Sequence, residues 1–274
     1  MHDKQGMKTN NITDQEFRQF QRFIYDAAGI NLSPAKKALV VGRLAKRLAH
    51  YHVDSYGEYF RLLERGDVPD EAQVAVDLLT TNETYFFRES KHFDLLREFA
   101  RASRNHMRSM RVWSAASSTG EEAYSIAMVL ADCMDGVPWE VFGSDVSTRV
   151  LQKARAGHYP MERATQIPQA YLKRYCLKGI DGQKGTLLID RTLRNRVQFA
   201  QVNLNAALPQ LGTFDVIFLR NVMIYFNNET KRQVVARVLS QLRQGGLFII
   251  GHSESLSDVT DAVKGVMPSV YRKC

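Results

Sequence analysis

The chain has 274 residues, 45% of them hydrophobic, 24% charged and 10% aromatic. That composition excludes a disordered chain and a mini-protein and suits roughly one to two domains. Lys and Arg number 37 against 29 Asp and Glu, a net charge of +8, so an acidic partner is expected and charge placement must separate nucleic acid from protein. Cys133, Cys176 and Cys274 share no metal-type spacing, residues 1–11 lack the apolar core of a signal peptide, and no apolar run approaches a membrane span. A soluble, cytoplasmic protein without a metal is expected.

Thr13-Asp14-Gln15-Glu16 is a capping-box sequence, and Phe17, Phe20, Ile24 and Ala27 follow at helical spacing up to Gly29, a residue suited to ending a helix. Ser33-Pro34 predicts a second helix start, with Ser33 as side-chain cap. Helical patterns also fill residues 55–65 and 71–79, so residues 1–80 read as an all-helical domain. Beyond Phe93, apolar strands at 111–115, 141–144, 215–219 and 247–251 alternate with helices at 122–133, 149–156 and 231–243. This alternation predicts an α/β second domain over 81–274, with a parallel, Rossmann-like sheet covered on both faces. Residues 158–200 break the rhythm with Pro160, Pro168, Gly179, Gly182 and Gly185 and a strand at 185–190, which predicts a small β-rich insertion. Ligands in such sheets bind beyond the carboxyl ends of the strands, here 114–122, 144–146 and 219–225.

Residues 111–122 run from strand through a small-residue loop, Ala115 to Gly120, into a helix that opens on Glu121 and Glu122. Small residues admit close backbone approach, but two carboxylates disfavour a phosphate at that helix end, and neither G-x-G-x-x-G nor the P-loop sequence is present. Taken alone, the loop reads equally as a capped helix with solvated glutamates. Asp145 ends the next strand, where its carboxylate can accept from a ribose hydroxyl or simply cap a helix. Asn203-Leu204 and Asn221 add polar groups at further strand ends; each Asn has an ordinary use as turn or cap residue, and Tyr225 one as core aromatic.

The segments Leu79-Thr80-Thr81-Asn82-Glu83-Thr84-Tyr85-Phe86-Phe87-Arg88-Glu89, residues 116–125, and Leu219-Arg220-Asn221-Val222-Met223-Ile224-Tyr225-Phe226 together resemble CheR-type chemotaxis receptor methyltransferases. The resemblance runs through nearly the whole chain to Gly251-His252-Ser253-Glu254, and departs where Ala123 replaces the family's usual proline without removing a ligand group. It implies S-adenosylmethionine as cofactor and S-adenosylhomocysteine as product. By resemblance, Asn82, Thr84 and Arg88 line the methionine side, Glu122 faces the cationic portion, Asp145 the ribose, Asn203 and Leu204 the adenine, and Asn221 and Val222 the floor near the methyl group. In isolation Arg88 would read as a surface pair with Glu89 or Asp94; its motif position reverses that. The implied reaction methylates glutamate side chains on the cytoplasmic helices of chemoreceptors. A glutamate is already ionised at pH 7, so orientation and desolvation matter more than a base. Tyr225 is the expected orienting residue and Arg88 has a mixed role, while His252 beside Ser253 is read as structural.

Lys36, Arg43, Lys46 and Arg47, with His50 beside them, give the second predicted helix a cationic side. Such a face is usually just solvated, and no interleaved aromatics point to nucleic acid. The resemblance makes it an acidic-receptor docking face on the helical domain of a monomer. It also raises the prospect that the β insertion captures a receptor tail peptide at a sheet edge, weighed evenly against a plain hairpin turn at residues 178–185. Nucleic-acid methylation would explain the charge but expects an Asn/Asp-Pro-Pro-aromatic motif, which is absent. A degenerate binding module is disfavoured by the intact Arg88, Glu122, Asp145 and Tyr225.

Overall fold

A computed structural model describes residues 11–104, 106 and 109–274. Residues 1–10, read above for a leader, lie outside the described residues. The chain divides into two compact units, Met1–Thr81 and Asn82–Cys274.

The first unit is helical. Helix α1 (Asp14–Ala28) starts at a closed capping box, in which Thr13 Oγ1 accepts from the Glu16 amide at 3.2 Å while Glu16 Oε2 accepts from the Thr13 amide at 2.7 Å. It ends at Gly29 in the left-handed region, φ 72°. The Ser33 side chain makes no cap bond, contrary to expectation. Pro34 brings no N–H to be capped, and the Lys36 amide donates to the Ser33 carbonyl instead, so a 3₁₀ turn at Pro34–Lys36 precedes α2 (Lys37–Tyr51). Helices α3 (Tyr56–Arg65) and α4 (Glu71–Leu79) complete the unit. Phe20, fully buried, sits among the rings of Tyr56, Tyr59 and Phe60 with centroids 5.4–6.5 Å away.

Part of the expected docking face is spent inside this unit. Arg47 grips Glu71 with both arms of its guanidinium, Nε to Oε1 at 2.8 Å and Nη2 to Oε2 at 2.6 Å, and the hydroxyls of Tyr51 and Tyr59 donate to the same carboxylate. Arg43 donates to the carbonyls of Leu79 and Thr80 at 2.8 and 2.9 Å, groups left without helical partners at the end of α4. A helical wheel counts these cations as one side, but it does not show the carboxylate and the helix end that draw the two guanidinium groups inward. Lys36, Lys46 and His50 are the exposed remainder.

Burial alone would raise the Glu71 carboxyl, and Arg47 with the two tyrosines more than offsets it, leaving Glu71 below its ordinary value of 4.5. A depressed folded-state pKa contributes stability that is complete above the unfolded value and lost as pH falls through the folded one. Glu71→Gln should therefore cost about 3 kcal/mol at pH 7 by leaving Arg47 unpaired in a largely buried site. Denaturant melts at descending pH check this: the gap to the wild-type chain should shrink below about pH 4.

The second unit is an α/β sandwich. In chain order it contains α5 (Lys91–Ser103), β1 (Met110–Ala115), α6 (Glu121–Cys133), β2 (Trp139–Asp145), α7 (Thr148–Ala156), β3 (His158–Pro160), α8 (Gln169–Tyr175), β4 (Cys176–Lys178), β5 (Thr186–Ile189), α9 (Arg191–Arg194), β6 (Val197–Gln201), β7 (Phe214–Leu219), α10 (Asn228–Ser240), β8 (Leu242–Ile250), β9 (Val263–Met267) and β10 (Val270–Lys273). The main sheet has the order β6-β2-β1-β7-β8-β10-β9. Strands β6 to β8 run parallel, whereas β10 and β9 add antiparallel. The sheet is therefore mixed rather than all-parallel. Strands β9 and β10 escape sequence reading because most of their residues are at least partly exposed and no apolar run marks them.

Val112, Val141, Val216, Phe218 and Ile249 share a buried core with Phe93, Leu96 and Ala100 of α5 and with the almost wholly buried α6. Trp113 points from β1 to the opposite face, near the rings of Phe142 and Phe214, and its indole N–H donates to Ser144 Oγ at 2.9 Å. The insertion is smaller than residues 158–200. Its three-stranded sheet, β3-β5-β4, ends at Ile189, and β6 belongs to the main sheet with Phe199 opposite Gly143 of β2. A Cβ on Gly143 would stand 2.5 Å from the Phe199 ring, so the glycine makes room for this edge strand.

Candidate active site

Strand order reverses at β1: β2 and β6 follow on one side, β7 and β8 on the other. Such a switch point opens a crevice at the strands' carboxyl ends. There the chain leaves β1 through Ala116 (φ 65°), Ser118 (φ 49°) and Gly120 (φ 95°) before α6 begins. Alternating left-handed residues turn backbone groups inward and need an acceptor to hold them. Asp145, at the end of β2 and 7% exposed, supplies one: its Oδ2 accepts from the Ser118 amide and its Oδ1 from the Ser147 amide, both at 2.9 Å. Its carbonyl accepts from the Val202 amide, which brings Asn203 and Leu204 beside it. Ser118 Oγ donates to the Asn82 carbonyl at 2.8 Å and so ties the 82–88 segment to the same loop.

Neither glutamate of the α6 first turn is solvated, contrary to the simpler expectation. Glu121 is fully buried and binds Arg163 at 2.8 Å, and Arg163 also donates to the Thr84 carbonyl. Glu122, with its side chain 12% exposed, accepts from Ser114 Oγ at 2.7 Å and from Arg220 Nη1 at 2.8 Å. Burial pushes the Glu122 carboxyl above its ordinary value even though Arg220 pulls the other way.

Arg220, the first residue beyond β7 and 5% exposed, is the residue that sequence reasoning missed. Its Nη2 lies 3.0 Å from Glu89 Oε2 and also donates to the Arg88 carbonyl, while Nε is buried without a partner among the described residues. Two carboxylates face one guanidinium, so the cluster keeps an excess negative charge. Glu89 Oε2 further accepts from the His252 amide, and the His92 ring stands 3.5 Å away, its pKa lowered to about 4 by burial and by Arg220. Glu89, His92 and His252 have ligand atoms within 4.8 Å of one another, but the carboxylate they share is taken by Arg220. Arg220 was legible only as a charged residue after a buried strand.

The sequence-expected residues fall as follows. Asn82, Thr84, Arg88, Glu122, Asp145 and, through Val202, Asn203 and Leu204 are joined by the contacts just given; Asn221 joins them through its side-chain Nδ2, 3.4 Å from Glu89 Oε1, and Val222 follows it beyond β7. Arg88 forms no pair with Glu89 or Asp94, which bind Arg220 and Arg97. It donates to the Glu83 carbonyl and lies over the Tyr85 ring at 5.7 Å, with no carboxylate partner among the described residues. Asn221 caps no helix; it is left-handed at φ 55°, and Asn227 caps α10. Tyr225 is half-buried in a 3₁₀ turn, Met223–Tyr225, and its hydroxyl makes no hydrogen bond among the described residues. Lys36, Arg43, Lys46 and Arg47 belong to the other unit.

Comparison with known families matches residues 82–271 to the CheR methyltransferase SAM-binding domain and residues 15–80 to the CheR methyltransferase all-alpha domain. The chain belongs to the CheR methyltransferase family. It is 41% identical to chemotaxis protein methyltransferase 2 of Pseudomonas aeruginosa over 97% of this chain and 95% of that one. Identity is 43% with the chemotaxis protein methyltransferase of Escherichia coli and 42% with that of Salmonella typhimurium, each over 90% of this chain and 86% of the relative. The cofactor is S-adenosylmethionine.

The residues present fit this cofactor. It carries a sulfonium, an ammonium, a carboxylate and a ribose, and so needs both signs of charge: Arg88 offers a guanidinium fork, and Glu122 with Glu89 the excess negative charge. Ser117 Oγ is buried in the small-residue loop without a partner among the described residues, a polar atom that a ligand can satisfy. Asp145→Ala should weaken binding of S-adenosylmethionine and S-adenosylhomocysteine by about tenfold or more, because it frees the Ser118 and Ser147 amides and with them the loop between β1 and α6. Titration calorimetry of the variant checks this, and unchanged affinity would contradict it.

Proposed function

We propose that this cytoplasmic enzyme transfers the methyl group to glutamate carboxylates on the cytoplasmic helices of chemotaxis receptors, giving methyl esters. The reading rests on Arg88, a half-buried guanidinium at the crevice that no carboxylate among the described residues occupies. Beside it Tyr85 is 41% exposed, and next to Tyr225 Ile224 is 52% exposed. Large apolar side chains presented around a cation suit a protein acceptor better than a small anion. The relatives' names, chemotaxis protein methyltransferases, agree with an acceptor in that pathway.

When bound, S-adenosylmethionine supplies an electrophilic methyl group on a positively charged sulfur. The chain's part is to bring a carboxylate oxygen into line and strip it of water. Arg88 has a mixed role, its fork serving the cofactor's carboxylate and its charge drawing the acceptor in, and the Tyr225 hydroxyl, with no partner among the described residues, orients that acceptor. A neutral donor suits a carboxylate whose charge vanishes in the transition state, since a second strong cation would favour the ground state. No general base is needed. Tyr225→Phe should leave cofactor affinity unchanged and lower kcat, as steady-state kinetics with calorimetry will show. The acceptor itself is tested by incubating receptor cytoplasmic fragments with tritiated methyl donor: base treatment should release labelled methanol, and a base-stable product would exclude an ester.

Docking is assigned to Lys36 and Lys46, the exposed lysines of the expected face. Lys36→Glu with Lys46→Glu should raise receptor KM, more at low salt than at high, with cofactor affinity unchanged. Reversing Arg43 or Arg47 would instead unfold the contacts described above. In the insertion, β4 is an edge strand with Leu177 54% exposed, and Ile180 just beyond it is 71% exposed. An edge of this kind, flanked by Lys178 and Lys184, suits capture of an acidic, aromatic receptor tail. Calorimetry with such a peptide decides it; no heat at millimolar concentration would leave the insertion a structural element.

A further inference from the structure

The segment after β7 carries Asn221, Val222 and Tyr225, and one carboxylate from elsewhere in the chain holds it. Glu254 Oε2 accepts from the amides of Asn221 and Gly251, both at 2.8 Å. Glu254 Oε1 accepts from the amides of Val222 at 3.1 Å and Met223 at 2.8 Å. Four backbone donors thus converge on two oxygens. Three come from consecutive residues, beginning with left-handed Asn221 at φ 55°, which makes this segment an anion-binding nest whose resident anion is Glu254.

We infer that Glu254 is a positioning residue for methyl transfer: by fixing the amides of Asn221, Val222 and Met223 it sets the 3₁₀ turn that presents Tyr225. The inference rests on the role proposed above for Tyr225. The turn follows directly from the anchored amides, since the Tyr225 N–H donates to the Val222 carbonyl at 3.1 Å and the Phe226 N–H to the Met223 carbonyl at 3.1 Å. The backing is tight as well. A Cβ on Gly251 would lie 2.5 Å from Asn221 Nδ2 and 2.9 Å from Glu254 Oε2, so the end of β8 closes against the end of β7 with no space to relax. Left-handed backbone at a non-glycine residue costs energy and persists only where its surroundings over-determine it. Here the four amide bonds do so.

A substitution that keeps size but not charge tests the role. In Glu254→Gln one carboxylate oxygen becomes an NH2 group that faces two amide donors. Glu254→Asp keeps the charge but is too short to span all four, and serves if the glutamine variant does not fold. Either variant should lower kcat for receptor methylation at least tenfold and weaken S-adenosylhomocysteine binding at least threefold. In a Tyr225→Phe background the same change at Glu254 should cost less than threefold in kcat, because the group being positioned is already gone. A folded variant with wild-type kcat, or an equal loss in both backgrounds, overturns the inference. Wild-type enzyme that methylates no receptor overturns the proposed acceptor instead; the anchoring of Asn221, Val222 and Met223 by Glu254 is then read from S-adenosylhomocysteine affinity, and unchanged affinity overturns it.

Discussion

One buried guanidinium organises the catalytic unit. Arg220 lies at the end of β7, binds Glu122 from α6 and Glu89 from the 82–90 segment, and holds the Arg88 carbonyl with a remaining N–H. Either carboxylate alone in so dry a place would be protonated or expelled to solvent, and Arg220 alone would be a costly buried charge. Together they leave a net negative cluster between three elements, and Arg88, whose backbone is fixed by that cluster, carries a positive charge in the same crevice. A ligand with separated positive and negative groups needs this pairing.

Much of this was legible in the sequence, for identifiable reasons. The capping box at Thr13, the left-handed stop at Gly29 and the apolar strands that became β1, β2, β7 and β8 are local signals, set by residues within one turn or one strand. Asp145 and Asn221 stand out because they fall at the ends of buried strands that share one crevice, although each taken singly has an ordinary use as cap or turn residue. What stayed hidden depends on distant partners. Arg47 reads as surface charge until Glu71 is brought against it from 24 positions away, and the exposure of Glu122 cannot be read without Arg220, 98 positions on. Helix α5 has a readable period at Phe93, Leu96 and Ala100, yet no cap hydrogen bond marks its start at Ser90. Strand β6 sits in the main sheet because Gly143 admits Phe199, a fact about packing and not about period.

The two units divide the labour along lines of charge. In the helical unit Arg43 and Arg47 are spent on internal cohesion while Lys36 and Lys46 remain outside, in keeping with the fixed fork of one residue type and the solvated point charge of the other. In the α/β unit the buried charges are paired across elements, and the backbone at the strand ends is held by carboxylates, Asp145 for the β1 loop and Glu254 for the segment after β7. Anions fixing left-handed backbone are therefore a repeated device in this crevice.

The claim on which the rest depends is that Arg220 assembles the cofactor site through Glu89 and Glu122. Titration calorimetry of S-adenosylhomocysteine against Arg220→Met, with circular dichroism to confirm the fold, measures it most directly. The account predicts at least a tenfold loss of affinity, partly recovered in Arg220→Met with Glu89→Gln, where one unpaired carboxylate is removed. A folded Arg220→Met enzyme with wild-type affinity would contradict it.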